Sequence, residues 1–176
     1  MSRRAITGFD PPLPTKDRAI VALLTFFVLF NVTLDWTLVR RGLDLPRLVG
    51  FDWAADLWAR AYADTDRFWI ASPWSLAQEA FNVYVTTLVN LALILGIVGR
   101  APWRHALQLT LGSYLTYSCV QYFLAGYLSG YAGMRARTPV ALAQFYGLTL
   151  PWLAAHVWFA WDSMVAITRQ FAGPKG

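Results

Sequence analysis

The sequence has little charge and almost no cysteine. Charged residues make up only 14% of the 176 residues, whereas soluble domains average about 25%. The single cysteine, Cys119, excludes an intramolecular disulfide and a thiolate metal site. The two histidines are too few and too far apart in sequence for a metal site. The net charge of +5 is spread without any block of like charge, so it does not indicate a nucleic-acid partner.

Apolar residues are abundant instead, at 57% of the chain, and aromatic residues reach 16%. This composition predicts a membrane protein. Four long apolar runs and the polar stripes within them predict an all-α fold, a four-transmembrane-helix bundle with an internal pocket. Each predicted span is long enough for a hydrocarbon core that needs about 20 residues. The helices are expected at about 18–39, 73–98, 103–130 and 139–169. They form one domain, 18–171, between a polar N-terminal segment, 1–17, and a tail, 172–176.

The first apolar run is interpreted as a retained helix, because no small-residue cleavage site follows it. Eight Lys or Arg residues lie on the side of the two termini, and seven lie in the other loops. The positive-inside rule therefore favours cytoplasmic termini. We expect an integral multi-pass protein of the endoplasmic reticulum if eukaryotic, or of the inner membrane if bacterial. It is surrounded by membrane lipids, and the alternatives of a homodimer or a membrane-complex subunit stay open.

Two acidic residues fall within the predicted spans. Asp35 lies near the end of the first helix and Glu79 near the start of the second, and both helix ends meet the same loop. The two carboxyls should therefore lie at a similar depth, about 6–9 Å from that face. Ionisable residues inside a span are costly and mark functional sites by default. The alternative is a purely structural role, in which both carboxyls hold the bundle together through hydrogen bonds.

Polar and aromatic residues recur at three- or four-residue steps on every span, which places them on one stripe of each helix. Such stripes satisfy one another only by facing inward. The sequence thus predicts a pocket with an acidic mouth and an aromatic floor. The predicted binding residues are Asn31, Asn82, Thr86, Tyr117, Gln121, Thr149, Trp152 and His156. A packed or hydrogen-bonded role is favoured over a catalytic one for His156, and an interfacial role is favoured for Asp162.

The carboxyl pair suggests acid–base chemistry. Burial disfavours the charged form of a carboxyl, and a second carboxyl nearby disfavours it further. One group can then hold a proton while the other stays ionised. The ring faces of Trp152 and Tyr117 would stabilise a cation. Asp66, just before the second span, either caps backbone groups or folds over the pocket mouth.

Four stretches, taken in order, resemble the EXPERA superfamily, which includes the emopamil-binding-protein type of sterol Δ8–Δ7 isomerase and the sigma-2 receptor. They are FNVTLDWTLV, YADTDRFWIASPWSLAQEAFN, ALQLTLGSYLTYSCVQYFL and QFYGLTLPWLAAHVWFAWD. The resemblance implies that Glu79, Asp35 and Asp66 are the catalytic carboxyls and that Trp152 lines the pocket. It further implies a sterol or isoprenoid lipid as ligand, isomerised by protonation and deprotonation without a metal or organic cofactor.

The sequence departs from the isomerase pattern at two positions. Asn31 stands where the isomerase has a histidine, and Thr149 where it has an asparagine. The first change removes a proton-transfer group. Three hypotheses therefore stay open: an isomerase of sterols or other polycyclic isoprenoids, a non-catalytic protein that binds lipids or cationic amphiphiles, and a structural subunit of a membrane complex.

Overall fold

The computed structural model describes residues 12–41, 51–54, 56–57, 73–132, 134 and 137–172. Within these ranges the regular structure is helical and no strand occurs. Asp66, predicted as a catalytic residue, lies outside the described residues.

Four long helices account for most of the described chain, and the first two are each interrupted by a π-helical turn. Helix α1 is built from Thr15–Phe30, the π turn Asn31–Asp35 and Trp36–Arg41. Helix α2 is built from Pro73–Phe81, the π turn Asn82–Thr86 and Thr87–Val98. Helix α3 is Arg104–Leu128 and helix α4 is Pro139–Phe171. The N-cap of α4 is Thr138, whose side chain accepts a hydrogen bond from the backbone N–H of Ala141.

Three of these helices are long and apolar enough to cross a membrane. The spans are Thr15–Arg40, Leu76–Val98 and Pro139–Phe171. Their outward faces carry exposed large apolar side chains such as Leu29, Leu95 and Val157, as a lipid-facing surface requires. The structure therefore indicates an all-helical membrane protein. Helix α3 has 25 residues and is also long enough to cross a membrane. It is not one of the three helices that are apolar enough to do so.

Helices α3 and α4 pack antiparallel and in close contact. Gly112 of α3 lies against the α4 backbone, where a Cβ would stand 2.7 Å from both the carbonyl oxygen of His156 and the nitrogen of Ala160. Further along, a Cβ on Gly126 would stand 2.6 Å from the ring of Phe145. Glycine is needed at Gly112 because a Cβ there would push the α4 backbone away, whereas a Cβ at Gly126 would require the Phe145 ring to move. These two contacts fix which face of α3 turns towards α4.

Ion pairs join the helix ends on the side of the termini. Arg104, at the start of α3, pairs with Asp17 of α1 at 3.0 Å. Lys16 of α1 pairs with Asp162 near the end of α4 at 2.6 Å. Asp162, for which an interfacial role is expected, thus forms an ion pair with Lys16. The two pairs tie α1, α3 and α4 together at one end.

Candidate functional site

A cleft of about 110 Å³ is lined by side chains from all four helices. Eight of the predicted site residues line it. They are Asn31, Asp35, Glu79, Asn82, Thr86, Thr149, Trp152 and His156. The structure therefore places these residues of α1, α2 and α4 around one cleft.

The two carboxyls share this cleft. Asp35 is 4% exposed and Glu79 is 7% exposed, and both side chains line the cleft. Asn82 donates a hydrogen bond from Nδ2 to Oε2 of Glu79 at 3.0 Å, which fixes the orientation of that carboxyl. The pair thus combines burial, proximity and a specific hydrogen bond, and these are the ingredients of an acid–base site.

Each carboxyl lies next to a π-helical turn that begins with asparagine. The backbone N–H of Trp36 reaches back five residues to the carbonyl of Asn31, and that of Thr87 reaches back to the carbonyl of Asn82. Asn31 joins the two turns, because its Nδ2 donates to the Asn82 carbonyl at 3.0 Å and to Oγ1 of Thr87 at 3.1 Å. Single π turns inside α-helices frequently accompany functional sites. Here they lie on two facing helices, beside the carboxyls.

Aromatic rings from α1 and α4 also line the cleft. The Phe27 ring stacks on Trp152 with centroids 4.4 Å apart and on His156 at 4.9 Å. Phe30 meets Trp152 edge-on at 4.8 Å. Nδ1 of His156 lies 2.7 Å from the Trp152 carbonyl oxygen, so that nitrogen must carry the hydrogen. His156 is packed and hydrogen-bonded, in line with the role favoured from the sequence.

The prediction for helix α3 is wrong. Tyr117 is 63% exposed on the outer surface, and Gln121 is absent from the cleft lining. The cleft-facing residues are instead Leu115, Ser118, Cys119 and Tyr122. The glycine contacts with α4 rotate α3 by about one residue, or roughly 100°, relative to the stripe read from the sequence. Tyr117 therefore cannot serve as the aromatic floor.

Further residues line the cleft beyond the predicted binding set. Asn90 lies on the same polar stripe of α2 that the sequence predicts from Glu79, Asn82 and Thr86, and it lines the cleft as well. Gln78, adjacent to Glu79, lines the cleft too. It precedes Asn82 by four positions, so the four-residue step of the α2 stripe extends to it.

No family model matches the chain, and no curated protein matches it.

Proposed function

We propose that the protein is a membrane-embedded isomerase that acts on a sterol or another polycyclic isoprenoid by protonation and deprotonation. The observation that carries this proposal is the buried pair of carboxyls, Asp35 and Glu79, in one cleft beside the ring of Trp152. One protonated and one ionised carboxyl supply an acid and a base in the same site. The resemblance to the EXPERA superfamily supports the same chemistry.

The proposed architecture has four membrane-spanning helices around an internal pocket. Helix α4 is apolar enough to span a membrane. Helix α3 packs along it from Gln108, near one end of α3, to Gly126, near the other end. A helix aligned with a spanning neighbour over that length shares its depth in the bilayer. Its 25 residues extend about 38 Å, more than a hydrocarbon core of about 30 Å. We further propose cytoplasmic termini, from the distribution of basic residues.

In the proposed reaction the protonated carboxyl adds its proton to one carbon of a ring double bond. The adjacent ring carbon becomes a carbocation. The ionised carboxyl then removes a proton from a neighbouring carbon, and the electrons of that C–H bond form the shifted double bond. The lipid keeps its composition, so the reaction consumes no oxidant or reductant. The proton returns from the base to the acid, directly or through solvent, before the next turnover.

Neighbouring side chains have supporting roles in this scheme. Trp152 lines the cleft and is held in place by Phe27 and Phe30, so its ring is positioned to stabilise the carbocation. Asn82 orients Glu79 through its hydrogen bond. The rigid placement matters because preorganised groups act at the transition state without first having to reorganise.

The size of the cleft constrains how a polycyclic lipid enters. Its volume of about 110 Å³ is below the roughly 300 Å³ at the low end of small-molecule sites. Leu148, which lines the cleft, is 38% exposed, so the cleft reaches the outer surface of the helices there. We propose that the lipid enters sideways from the bilayer at Leu148 and displaces lining side chains as it inserts.

A second candidate is a non-catalytic protein that binds lipids or cationic amphiphiles. The observation that favours it is Asn31, whose amide is engaged with the Asn82 carbonyl and Thr87 and cannot transfer a proton. Two carboxyls beside the indole ring of Trp152 also suit an ammonium group. In this reading the same residues anchor a ligand that leaves unchanged.

Turnover in heavy water separates the two candidates. Purified protein is incubated with sterols that carry a double bond in the ring system, and the products are analysed by mass spectrometry. The isomerase predicts a shifted double bond and one deuterium per product, because the carboxyl proton exchanges with solvent. Tight binding of cationic amphiphiles, with no sterol ever taking up deuterium, would reject the isomerase in favour of the binding protein.

A further inference from the structure

Two buried polar side chains in the cleft have hydrogen-bonding atoms without partners. Asn90 is 0% exposed, and neither its Nδ2 nor its Oδ1 is paired within the described residues. His156 is 1% exposed, and its Nε2 is unpaired within the same residues. Both side chains line the cleft. Buried polar groups in native proteins are almost always hydrogen-bonded, so such a pair requires an explanation.

The register of the helices places these two groups at one level. Asn31 of α1 contacts Thr87 of α2. One turn deeper along the two antiparallel helices come Phe27 and Asn90, and Phe27 stacks on His156 at 4.9 Å. Asn90 and His156 therefore lie at the same depth, on opposite helices.

This level is the blind end of the cleft. The next residues inward, Leu24, Leu93 and Phe159, are each 0% exposed and belong to a continuous apolar core. Asn90 follows Glu79 by eleven positions, about 16 Å along α2 at 1.5 Å per residue. The cleft thus has two polar regions, an acidic pair near its mouth and a neutral pair at its closed end.

The unpaired atoms define the chemistry of a partner. Nδ1 of His156 donates to the Trp152 carbonyl, so Nε2 of the neutral ring is an acceptor. The Asn90 amide supplies one donor group and one acceptor, whichever way it is turned. A hydroxyl group donates to one acceptor while its oxygen accepts from the amide. A ketone oxygen can accept from the Asn90 amide, but it has no hydrogen to donate to Nε2 of His156. A carboxylate has acceptors only, so it leaves that nitrogen unpaired as well.

We propose that Asn90 and His156 form a hydroxyl-binding subsite at the blind end of the cleft. The ligand is accordingly an alcohol whose hydroxyl group lies at the opposite end from the atoms that Asp35 and Glu79 reach. The identity of this ligand as a polycyclic isoprenoid rests on the proposed function, whereas the hydroxyl specificity rests on Asn90 and His156 themselves.

The test compares two probes that differ only in the polar group, 5α-cholestan-3β-ol and 5α-cholestan-3-one. Binding to the purified full chain is measured by displacement of the tritiated alcohol. The wild-type protein should prefer the alcohol by about tenfold or more, since the ketone leaves a buried acceptor unpaired. Asn90→Leu and His156→Phe should each reduce that preference to nearly onefold. Ser163→Ala, which also removes a buried and unpaired polar atom but outside the cleft lining, should keep it.

Several results would overturn the subsite. They are equal affinities of the wild-type protein for the two probes, an unchanged preference in both cleft variants, or no binding of either sterol. A density map that shows only water between Asn90 and His156 in the alcohol complex would do the same. The apparent melting temperature without ligand is a further check. Asn90→Leu should leave it equal or higher, because an unpaired amide is replaced by an apolar group, and a marked fall would mean that Asn90 is structural.

The variant Glu79→Gln separates this proposal from the isomerase. It should abolish deuterium uptake and keep the preference for the alcohol. If the wild-type protein prefers the alcohol and yet no sterol takes up deuterium, the isomerase fails and the subsite stands.

Discussion

Asn31 donates a hydrogen bond from its side-chain Nδ2 to the backbone carbonyl of Asn82, at 3.0 Å, and so joins the π turn of α1 to the π turn of α2. The same Nδ2 also contacts Oγ1 of Thr87. Since Asp35 ends one π turn and Glu79 precedes the other, this contact sets the relative height of the two carboxyls. Asn31 is a positioning residue in this account and takes no part in proton transfer.

Replacing Asn31 with alanine should destabilise the protein. The substitution removes a buried hydrogen bond between two helices and leaves a small void, at a cost of about 1–3 kcal/mol. The apparent melting temperature in detergent should fall accordingly. Thr33→Ala is the matched control, because within the described part of the chain the Thr33 hydroxyl bonds to carbonyls of its own helix, at Leu29 and Phe30. Equal melting temperatures for the two variants would contradict the joining role of Asn31.

Two glycine substitutions should have opposite effects on stability. Gly112→Ala places a Cβ 2.7 Å from the α4 backbone at His156 and Ala160, so the helices must separate, at a cost of about 1–3 kcal/mol. Gly147→Ala meets nothing within 4 Å and should stabilise α4 by about 0.5–1 kcal/mol through helix propensity. Thermal unfolding of the two variants measures both effects. A neutral Gly112→Ala would mean that α3 and α4 do not pack this closely.

The orientation of α3 is tested by tryptophan scanning of two nearby positions. Cys119→Trp should fill much of the cleft and abolish ligand binding, because Cys119 lines a space of only about 110 Å³. Tyr117→Trp should bind normally, because Tyr117 is on the outer surface. Displacement of the tritiated sterol from each purified variant is the measurement. If Tyr117→Trp lost binding and Cys119→Trp kept it, the side of α3 predicted from the sequence would face the cleft after all.

The helical architecture and the carboxyl pair were accessible from the sequence for simple reasons. Long apolar runs predict the helices, and polar residues that recur in them at three- or four-residue steps predict the side of each helix that faces inward. Asp35 and Glu79 stand close to helix ends that share a loop, so their common depth follows from the rise per residue. The structure brings these two residues into one cleft.

The face of α3 was not accessible in the same way. Polar and aromatic residues occur around this helix, with Tyr117 and Tyr122 on different sides, so periodicity alone does not select the inner side. The deciding contacts are those of Gly112 and Gly126 with α4. Fourteen positions separate these glycines, which places them near one face of a helix. That spacing was the sequence signal for the correct face.

The π turns were also missed, although each has a local signature. The segments NVTLD and NVYVT both begin with Asn-Val and carry further β-branched residues. Such residues lose side-chain freedom in an α-helix and weaken its propensity. This signature alone does not identify a π turn. For the turn of α2, a hydrogen bond to the Asn82 carbonyl comes from Asn31 on the facing helix, which a local pattern cannot show.

The most direct test of the shared carboxyl site measures deuterium uptake from heavy water into a ring-unsaturated sterol, using Asp35→Asn, Glu79→Gln and the double variant. General acid–base groups contribute about 10²- to 10⁴-fold to a rate. Each single variant should therefore lose at least about a hundredfold, and the double variant should lose little more than either, because the two carboxyls act as a unit. Wild-type uptake in either single variant, or a double variant whose loss is the product of the two single losses, would contradict the shared site.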